Sequence, residues 1–165
     1  DEKQLNRILD YIKSARIVQF VAVGNTIPVA LDGAFKFNEI GIKAMAGTIW
    51  ETQLAFSLSL GRDDVMIAIS NSGESRQVVK MVQEAKCNQV VTVGITNNPN
   101  STVGRCVDYH IQTATREKLF LNEICFSRVS AMTVIEVLYL FLTVGQERSY
   151  DRVSKCEGLI ADEKL

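Results

Sequence analysis

Short apolar runs rich in β-branched residues alternate along this chain with longer amphipathic stretches, and this alternation constrains the fold most. Five runs have the length and composition of buried strands, and they are Ile17–Val23, Lys43–Ala46, Val65–Ile69, Gln89–Ile95 and Val107–Gln112. Strands that alternate with helices of this size are typical of βαβ units and a parallel sheet. We therefore predict an α/β protein, a three-layer α/β/α sandwich with a five-stranded parallel sheet.

Helical stretches fill the intervals between the strands. Apolar spacing predicts an opening helix over 3–14 and further helices that begin near Thr26, span Thr48–Leu60 and Glu74–Lys86, follow Ser101, and run from about Leu119 to Leu142. A chain of 165 residues is about the size of one domain. We predict a single domain over 1–165, with a core of about 17–142 and a helical tail over 143–165.

Charge and hydropathy argue against several classes of partner. The formal net charge of -1 does not favour nucleic-acid binding, so we expect any DNA contact to come from residues outside this chain. The most apolar stretch, Val129 to Val144, is too short and too interrupted by polar residues to span a bilayer, so we expect a core helix and no membrane partner. The chain begins at Asp1 rather than Met, which suggests a fragment of a longer protein.

Neither a metal nor a cofactor is expected. The four cysteines (Cys87, Cys106, Cys125 and Cys156) form no CxxC pair and have no histidine at ligand spacing, which argues against zinc. Reduced cysteines favour a cytoplasmic protein. A dinucleotide site is disfavoured because the loop after the first strand lacks G-x-G-x-x-G and no acidic residue ends the second strand.

The strand Val65–Ile69 leads directly into a loop of hydroxyls, Ser70-Asn71-Ser72-Gly73-Glu74-Ser75. Hydroxyls and free backbone N–H groups at the positive end of a following helix are how proteins hold a phosphate. We predict that Ser70, Ser72 and Ser75 donate hydroxyls, while Gly73 lets the backbone approach the anion closely. The alternative is a plain turn with an N-cap, which needs fewer hydroxyls than the loop has.

A second polar loop, Gly24-Asn25-Thr26, follows the first strand. Ligands of open parallel sheets bind outside the carboxyl ends of the strands, where the chain order reverses. Both loops are expected at that edge. The sequence therefore predicts one site between them for a phosphorylated small molecule.

The hydroxyl loop matches a family signature. Ser70, Ser72, Gly73 and Ser75 fit the Ser-x-Ser-Gly-x-Ser/Thr that follows the third strand of SIS (sugar isomerase) domains, and the chain resembles this family of phosphosugar-binding α/β modules. The resemblance implies a sheet of flavodoxin-like or Rossmann-like topology. It also implies that the loop, with Asn71, contacts the phosphosugar.

The first loop keeps the family pattern in part. Where the family has Gly-x-Gly-x-Ser, this chain has Ala22, Gly24 and Thr26. The resemblance implies a position near the phosphate for Gly24, Asn25 and Thr26, with the Thr26 hydroxyl in place of the family's serine.

Within the family, the chain is most similar to the C-terminal effector domain of RpiR/MurR-type transcriptional regulators. The resemblance covers roughly Ile17 to Leu142, and its segments are Ile95-Thr96, Ser101-Thr102-Val103, Cys106-Val107-Asp108 and Ser127-Arg128. It implies a sensor of phosphosugars rather than an enzyme. The helix-turn-helix domain that binds DNA in such regulators is absent from this chain.

The sugar end of the site departs from that pattern. Regulators of this type often have Asp-x-His-x-Gln where this chain has Ile49-Trp50-Glu51-Thr52-Gln53, so only Gln53 matches. Trp50 on an amphipathic helix favours packing. Three acidic residues are candidate contacts to the sugar, namely Glu51, Glu117 and Glu123.

The alternative function is a sugar-phosphate aldose-ketose isomerase resembling 6-phospho-3-hexuloisomerase. Moving a proton between C1 and C2 needs a positioned base. Such isomerases have Gly-Thr-x-Phe-Glu at the start of the last long helix, where this chain has Leu121-Asn122-Glu123-Ile124, which favours the sensor. The single histidine, His110, is expected to be a strand-face residue, which leaves the three glutamates as candidate bases.

The predicted helices carry more apolar surface than one sheet face can cover. This excess lies on the long helix that ends near Leu142 and on the helix after Thr26. We therefore expect the chain to form a homodimer or tetramer.

Overall fold

A computed structural model describes residues 1–113, 128–144 and 147–161. Its centre is a sheet of five strands, β1 (Val18–Ala22), β2 (Ala44–Ala46), β3 (Val65–Ile69), β4 (Val91–Thr96) and β5 (Tyr109–Gln112). All neighbouring strands pair in parallel, in the order β2-β1-β3-β4-β5. This order is the flavodoxin-like one, so the predicted sheet is confirmed.

Helices cover both faces of the sheet. They are α1 (Glu2–Ser14), α2 (Ile27–Glu39), α3 (Trp50–Ser57), α4 (Arg76–Cys87), α5 (Thr102–Cys106), α6 (Val129–Thr143) and α7 (Glu147–Ala161). One hydrophobic cluster joins the sheet to α1, α2 and α6, and a second joins it to α4 and α5. The three-layer α/β/α arrangement is therefore confirmed.

Strand β3 shows why its sequence is a continuous apolar run. All five of its residues are buried. Val65, Ile67 and Ile69 belong to the cluster under α2 and α6, whereas Met66 and Ala68 belong to the cluster under α4. A strand covered on both faces has no side that favours polar residues.

Several element boundaries differ from the predicted ones. Helix α4 begins at Arg76, two residues after the predicted Glu74, because Gly73 has a φ of 70° and Ser75 is still extended. Helix α3 is shorter than the predicted Thr48–Leu60. Of the predicted long helix, the structure describes α6, and positions 119–127 lie outside the described residues.

The amino edge of the sheet holds two fixed carboxylates. Asp64, just before β3, accepts hydrogen bonds from Arg16 at 2.9 and 2.7 Å. Asp108, just before β5, accepts from the Lys86 ammonium at 2.7 Å and from the Thr92 hydroxyl at 2.7 Å. Burial acts to raise the pKa of both carboxyls, but these bonds, further backbone N–H donors and the charges of Arg16 and Lys86 together outweigh it and lower each pKa.

Within the described ranges, no helix has both the length and the apolar character needed to cross a membrane.

Candidate phosphate-binding site

The two predicted loops lie side by side at the carboxyl edge of the sheet. Ala22 and Ile69, the last residues of β1 and β3, are partners in the parallel register. The Thr26 hydroxyl oxygen of the first loop is 3.3 Å from the carbonyl oxygen of Ile69. The chain order reverses between β1 and β3, which is where open α/β sheets bind ligands.

The first loop is a 3₁₀ turn, Gly24–Thr26, that leads into α2. Gly24 has a φ of 62°, and a Cβ built on it would meet nothing within 4 Å. The backbone conformation therefore favours glycine here, and the space beside it is open. Gly24 and Asn25 are exposed, whereas Thr26 is buried.

The Thr26 hydroxyl is used inside the protein. Its oxygen lies 3.0 Å from the carbonyl oxygen of Val23 as well as 3.3 Å from that of Ile69. A hydroxyl has one proton to donate, and both neighbours are acceptors. The shorter distance makes the Val23 carbonyl the main acceptor, so the Thr26 hydroxyl closes the first loop and lies against the end of β3.

Gln53 of α3 holds the end of β1, where the first loop begins, on the side of the strand away from β3. Strand β2 pairs only as far as Phe20, which leaves the backbone of Ala22 without a strand partner on that side. The Gln53 carboxamide replaces the strand, because Oε1 accepts from the Ala22 N–H at 3.0 Å and Nε2 donates to the Ala22 carbonyl at 2.9 Å. Gln53 is fully buried, so this match to the family pattern has a structural role.

The second loop presents two hydroxyls next to a helix N-terminus. Ser72 is exposed, and its hydroxyl oxygen accepts from the Glu74 N–H at 3.3 Å. Ser75 is the N-cap residue of α4, but its side chain makes no cap hydrogen bond. The first N–H groups of an α-helix have no acceptor within the helix. Neutral donors and a helix N-terminus together suit an anion.

Ser70 and Asn71 contribute in a different way. Ser70 is buried, and its hydroxyl oxygen accepts from the Gly73 N–H at 3.2 Å. The carbonyl of the half-buried Asn71 accepts from the Asn97 N–H at 2.9 Å. Both residues fix the course of the loop.

Gly73 is required for a reason that the sequence did not reveal. Besides its positive φ, a Cβ at Gly73 would lie 2.0 Å from the Ser101 hydroxyl oxygen and 2.5 Å from the Ser101 Cβ. Ser101 is fully buried, and its hydroxyl accepts from the Gly104 N–H at the start of α5. The second loop therefore rests directly on the connection between β4 and α5.

Hydrogen bonds join the second loop to that connection. The Val103 N–H donates to the Gly73 carbonyl at 2.9 Å. The Glu74 carboxylate accepts from the Thr102 N–H at 3.0 Å and from the Thr102 hydroxyl at 2.6 Å. These two bonds lower the pKa of the Glu74 carboxyl. Sequence reasoning assigned no role to Glu74 or Thr102, although Ser101-Thr102-Val103 was part of the resemblance.

The remaining candidate residues are less involved. Glu51 is exposed on α3, and Trp50 is half-buried at its first position. His110 pairs with Gly94 in the sheet, and its Nε2 is 2.8 Å from the Thr96 hydroxyl oxygen. Burial lowers the pKa of the His110 imidazole. Glu117 and Glu123 lie outside the described residues, as do Cys125 and Ser127.

The described side chains contain no group of three or more His, Cys, Asp or Glu residues that could hold a metal ion.

The family follows from a comparison with known proteins. The family model described as the SIS domain matches residues 11–141, which is most of the chain. The protein therefore belongs to the SIS domain family.

Two relatives of this chain are both named as HTH-type transcriptional regulators. An uncharacterized HTH-type transcriptional regulator of Thermotoga maritima is 25% identical over 164 residues, which are 99% of this chain and 59% of the relative. The uncharacterized HTH-type transcriptional regulator YbbH of Bacillus subtilis is 31% identical over 149 residues, 88% of this chain and 52% of the relative. The chain thus spans little more than half the length of either regulator.

Two solved structures have the same fold. The Vibrio vulnificus NanR protein complexed with ManNAc-6P superposes with a TM-score of 0.89 and 22% identity, covering 100% of this chain and 62% of that one. The sugar isomerase domain of an RpiR transcription factor from Sphaerobacter thermophilus gives a TM-score of 0.84 and 23% identity, covering 95% and 87%. At 22% and 23% identity, these two superpositions establish the fold alone.

Proposed function

We propose that this chain is the phosphosugar-binding effector domain of a transcriptional regulator of sugar metabolism. The observation that carries the proposal is the loop Ser70–Ser75. The exposed Ser72 and the N-cap residue Ser75, whose side chain makes no cap hydrogen bond, lie at the N-terminus of α4. This is a favourable place for a phosphate. The phosphate is held by these two hydroxyls and by the first amides of α4.

The first loop forms the other wall of the proposed site. Gly24 and Asn25 are exposed there, and the space beside Gly24 is open, so the backbone of this loop can approach the ligand. Thr26, Ser70, Asn71 and Gly73 act mainly by holding the two loops in place. Glu51, exposed on α3, is the described candidate for a contact with the sugar.

The names of the relatives support the regulatory part of the proposal. Both are called HTH-type transcriptional regulators, and this chain covers about half of each. In the proposed mechanism, DNA is bound by a domain outside this chain. The ligand changes DNA binding by favouring one arrangement of the two domains, which requires that it bind one arrangement more tightly than the other.

Thermal unfolding with and without ligand tests the phosphate requirement. A ligand that binds only the folded state raises its stability, so N-acetylmannosamine 6-phosphate and other sugar 6-phosphates should raise the Tm. The unphosphorylated sugars should not. The Ser72→Ala/Ser75→Ala variant should keep its own Tm within about 3 °C, because Ser72 is exposed and the half-buried Ser75 makes no cap hydrogen bond. It should lose the ligand-induced rise.

A matched control comes from two exposed serines that lie elsewhere. The hydroxyls of Ser14 and Ser59 donate to main-chain carbonyls of their own helices and turns, and Ser14→Ala/Ser59→Ala removes two serine hydroxyls at a distance from the loops. This variant should respond to sugar phosphates like the unaltered protein. Equal stabilisation by the free sugar and its phosphate would overturn the proposal.

A sugar-phosphate isomerase is the second candidate, because the exposed Glu51 carboxylate is a possible base at the sugar end of the site. The sensor proposal predicts that a bound aldose phosphate is recovered unchanged when it is followed by NMR. Conversion to the ketose that disappears in Glu51→Gln would favour the enzyme.

Self-association is a further part of the proposal. Leu31 and Phe35 on α2 and Leu140 and Phe141 on α6 are each at least 41% exposed, and the two helices pack in the same layer. Large apolar side chains exposed together are typical of protein interfaces. We expect a homodimer or tetramer in sedimentation, and Phe35→Glu should shift it toward monomer. A monomer at tens of micromolar without substitution would contradict this.

A further inference from the structure

We propose that Glu74 is a positioning residue. Its carboxylate forms a clamp, a pair of hydrogen bonds to Thr102 that holds the Ser70–Ser75 loop and so fixes Ser72 and Ser75 on either side of Glu74. The inference rests on the proposed function. Both carboxylate oxygens are used, one by the Thr102 N–H at 3.0 Å and the other by the Thr102 hydroxyl at 2.6 Å. Two bonds from one residue to one partner restrict both the position and the rotation of the carboxylate.

The clamp closes the part of the loop that has the fewest other restraints. The earlier part is already tied down, because Ser70 donates its N–H to the Ile95 carbonyl and the Asn71 carbonyl accepts from Asn97. After Gly73, whose carbonyl accepts from Val103, the side chain of Glu74 makes the next link to the β4–α5 connection. Ser75 follows, with no cap bond of its own.

The clamp also controls where a negative charge lies. Glu74 stands between Ser72 and Ser75, the two proposed phosphate donors, and a carboxylate free to move there would repel an anion. The bonds from Thr102 lower the pKa of the Glu74 carboxyl, so it is ionised at neutral pH. Holding this charge at the first amide of α5 keeps the loop ordered and gives the carboxylate a favourable partner.

The experiment measures binding of N-acetylmannosamine 6-phosphate and of inorganic phosphate by calorimetry, together with amide hydrogen exchange without ligand. Glu74→Ala and Thr102→Val should each weaken phosphosugar binding by about 10-fold, the size expected for a charge-assisted hydrogen bond. The double variant should bind no more weakly than the weaker single variant, because both changes break the same link.

Conservative variants separate this role from a general loss of structure. Thr102→Ser keeps the hydroxyl and should restore binding to within about 2-fold of the unaltered protein. Glu157→Ala removes an exposed carboxylate on α7 and should leave binding unchanged. In Glu74→Ala without ligand, the Thr102 and Val103 amides should exchange about 10-fold faster, as expected for local opening.

The outcomes distinguish the clamp from the proposed function. Unchanged or tighter phosphosugar binding by Glu74→Ala would overturn the clamp and leave the phosphosugar site standing, as would additive effects in the double variant. If the unaltered protein binds neither of these probes nor any other sugar 6-phosphate of the thermal-unfolding series, the proposed function fails, and with it the role of Glu74 in binding. Faster amide hydrogen exchange at Thr102 and Val103 in Glu74→Ala would then show that the bonds between Glu74 and Thr102 serve loop structure alone.

Discussion

The two loops at the carboxyl edge of the sheet are held by different contacts. The first loop is fixed from inside the protein by the buried Gln53 carboxamide and the buried Thr26 hydroxyl. The second loop is fixed against the neighbouring β4–α5 connection, by the buried contact of Gly73 with Ser101 and by the exposed hydrogen bonds of Glu74 to Thr102. Both loops lead into a helix whose N-cap side chain makes no cap hydrogen bond, but only the second loop has an exposed serine beside it.

This difference distinguishes residues that hold the loops in place from residues that are proposed to contact the ligand. A hydroxyl whose proton is donated to a buried carbonyl is costly to redirect, because the carbonyl then loses its partner. The hydroxyls of Ser72 and Ser75 carry no such cost. Two loops that look alike as short polar sequences after strands therefore have different tasks in the proposed site.

Each of the two loops has one glycine with a positive φ, and substitution of these glycines tests the comparison with the largest expected effect. Gly73→Ala should lower the free energy of unfolding by about 3 kcal/mol, because left-handed strain adds to a collision with Ser101. Gly24→Ala should lower it by about 1 kcal/mol, from strain alone, since the space beside Gly24 is open. Urea unfolding measures both, and equal losses would contradict the tight contact beneath the second loop.

Gln53 tests the frame of the first loop. Gln53→Leu leaves the Ala22 N–H and carbonyl without partners, so we expect a loss of about 2 kcal/mol in urea unfolding. The adjacent Thr52 is exposed, and Thr52→Ala should cost less than about 0.5 kcal/mol. If the two substitutions cost the same, the carboxamide does not replace a strand.

Thr26 tests whether framework and ligand contact are separate. Thr26→Val should lower the free energy of unfolding by about 1 kcal/mol through the lost hydrogen bond. The Tm rise caused by a sugar 6-phosphate should persist, in contrast to the Ser72→Ala/Ser75→Ala variant. Loss of that rise would mean that the Thr26 hydroxyl turns to the ligand.

The smallest effect is a difference in pH dependence. The hydrogen bonds from Thr102 lower the pKa of the Glu74 carboxyl from its ordinary value of 4.5. The stability that this carboxylate contributes is therefore complete above about pH 4.5. It is lost as the pH falls through the lowered pKa of the folded protein. The Thr102 amide resonance should therefore titrate below pH 4.5. The Ala22 amide, bonded to the neutral Gln53, should not titrate, and a shared titration would contradict the distinction.

Most of the fold could be predicted because buried parallel strands and amphipathic helices leave strong patterns. Val65–Ile69 was predicted to the residue, since both of its faces are covered. The start of α4 was placed two residues early, because the run Ser72-Gly73-Glu74-Ser75 does not reveal which residue leaves the extended conformation. The alternation of strands and helices predicted a parallel sheet of five strands, whereas its flavodoxin-like topology was implied by the resemblance to SIS domains.

The site was less accessible to sequence reasoning. Ser70–Ser75 was predicted as a phosphate loop from its residue types, and this remains a prediction. The contact of Gly73 with Ser101 and the bonds of Glu74 to Thr102 join residues 28 positions apart, and no local pattern signals them. Gln53 was singled out by its match to the family pattern, but its structural role was not predicted, because a buried glutamine on a helix has the same sequence appearance as an exposed one.

The most direct test of the central claim is a map of backbone amide shifts during titration with N-acetylmannosamine 6-phosphate. The account predicts that the largest shifts occur at Ser72 to Val78, with smaller ones at Gly24 and Asn25. The unphosphorylated sugar should leave these amides unchanged. Large shifts confined to another part of the chain, or equal shifts with both sugars, would contradict a phosphate site at the second loop.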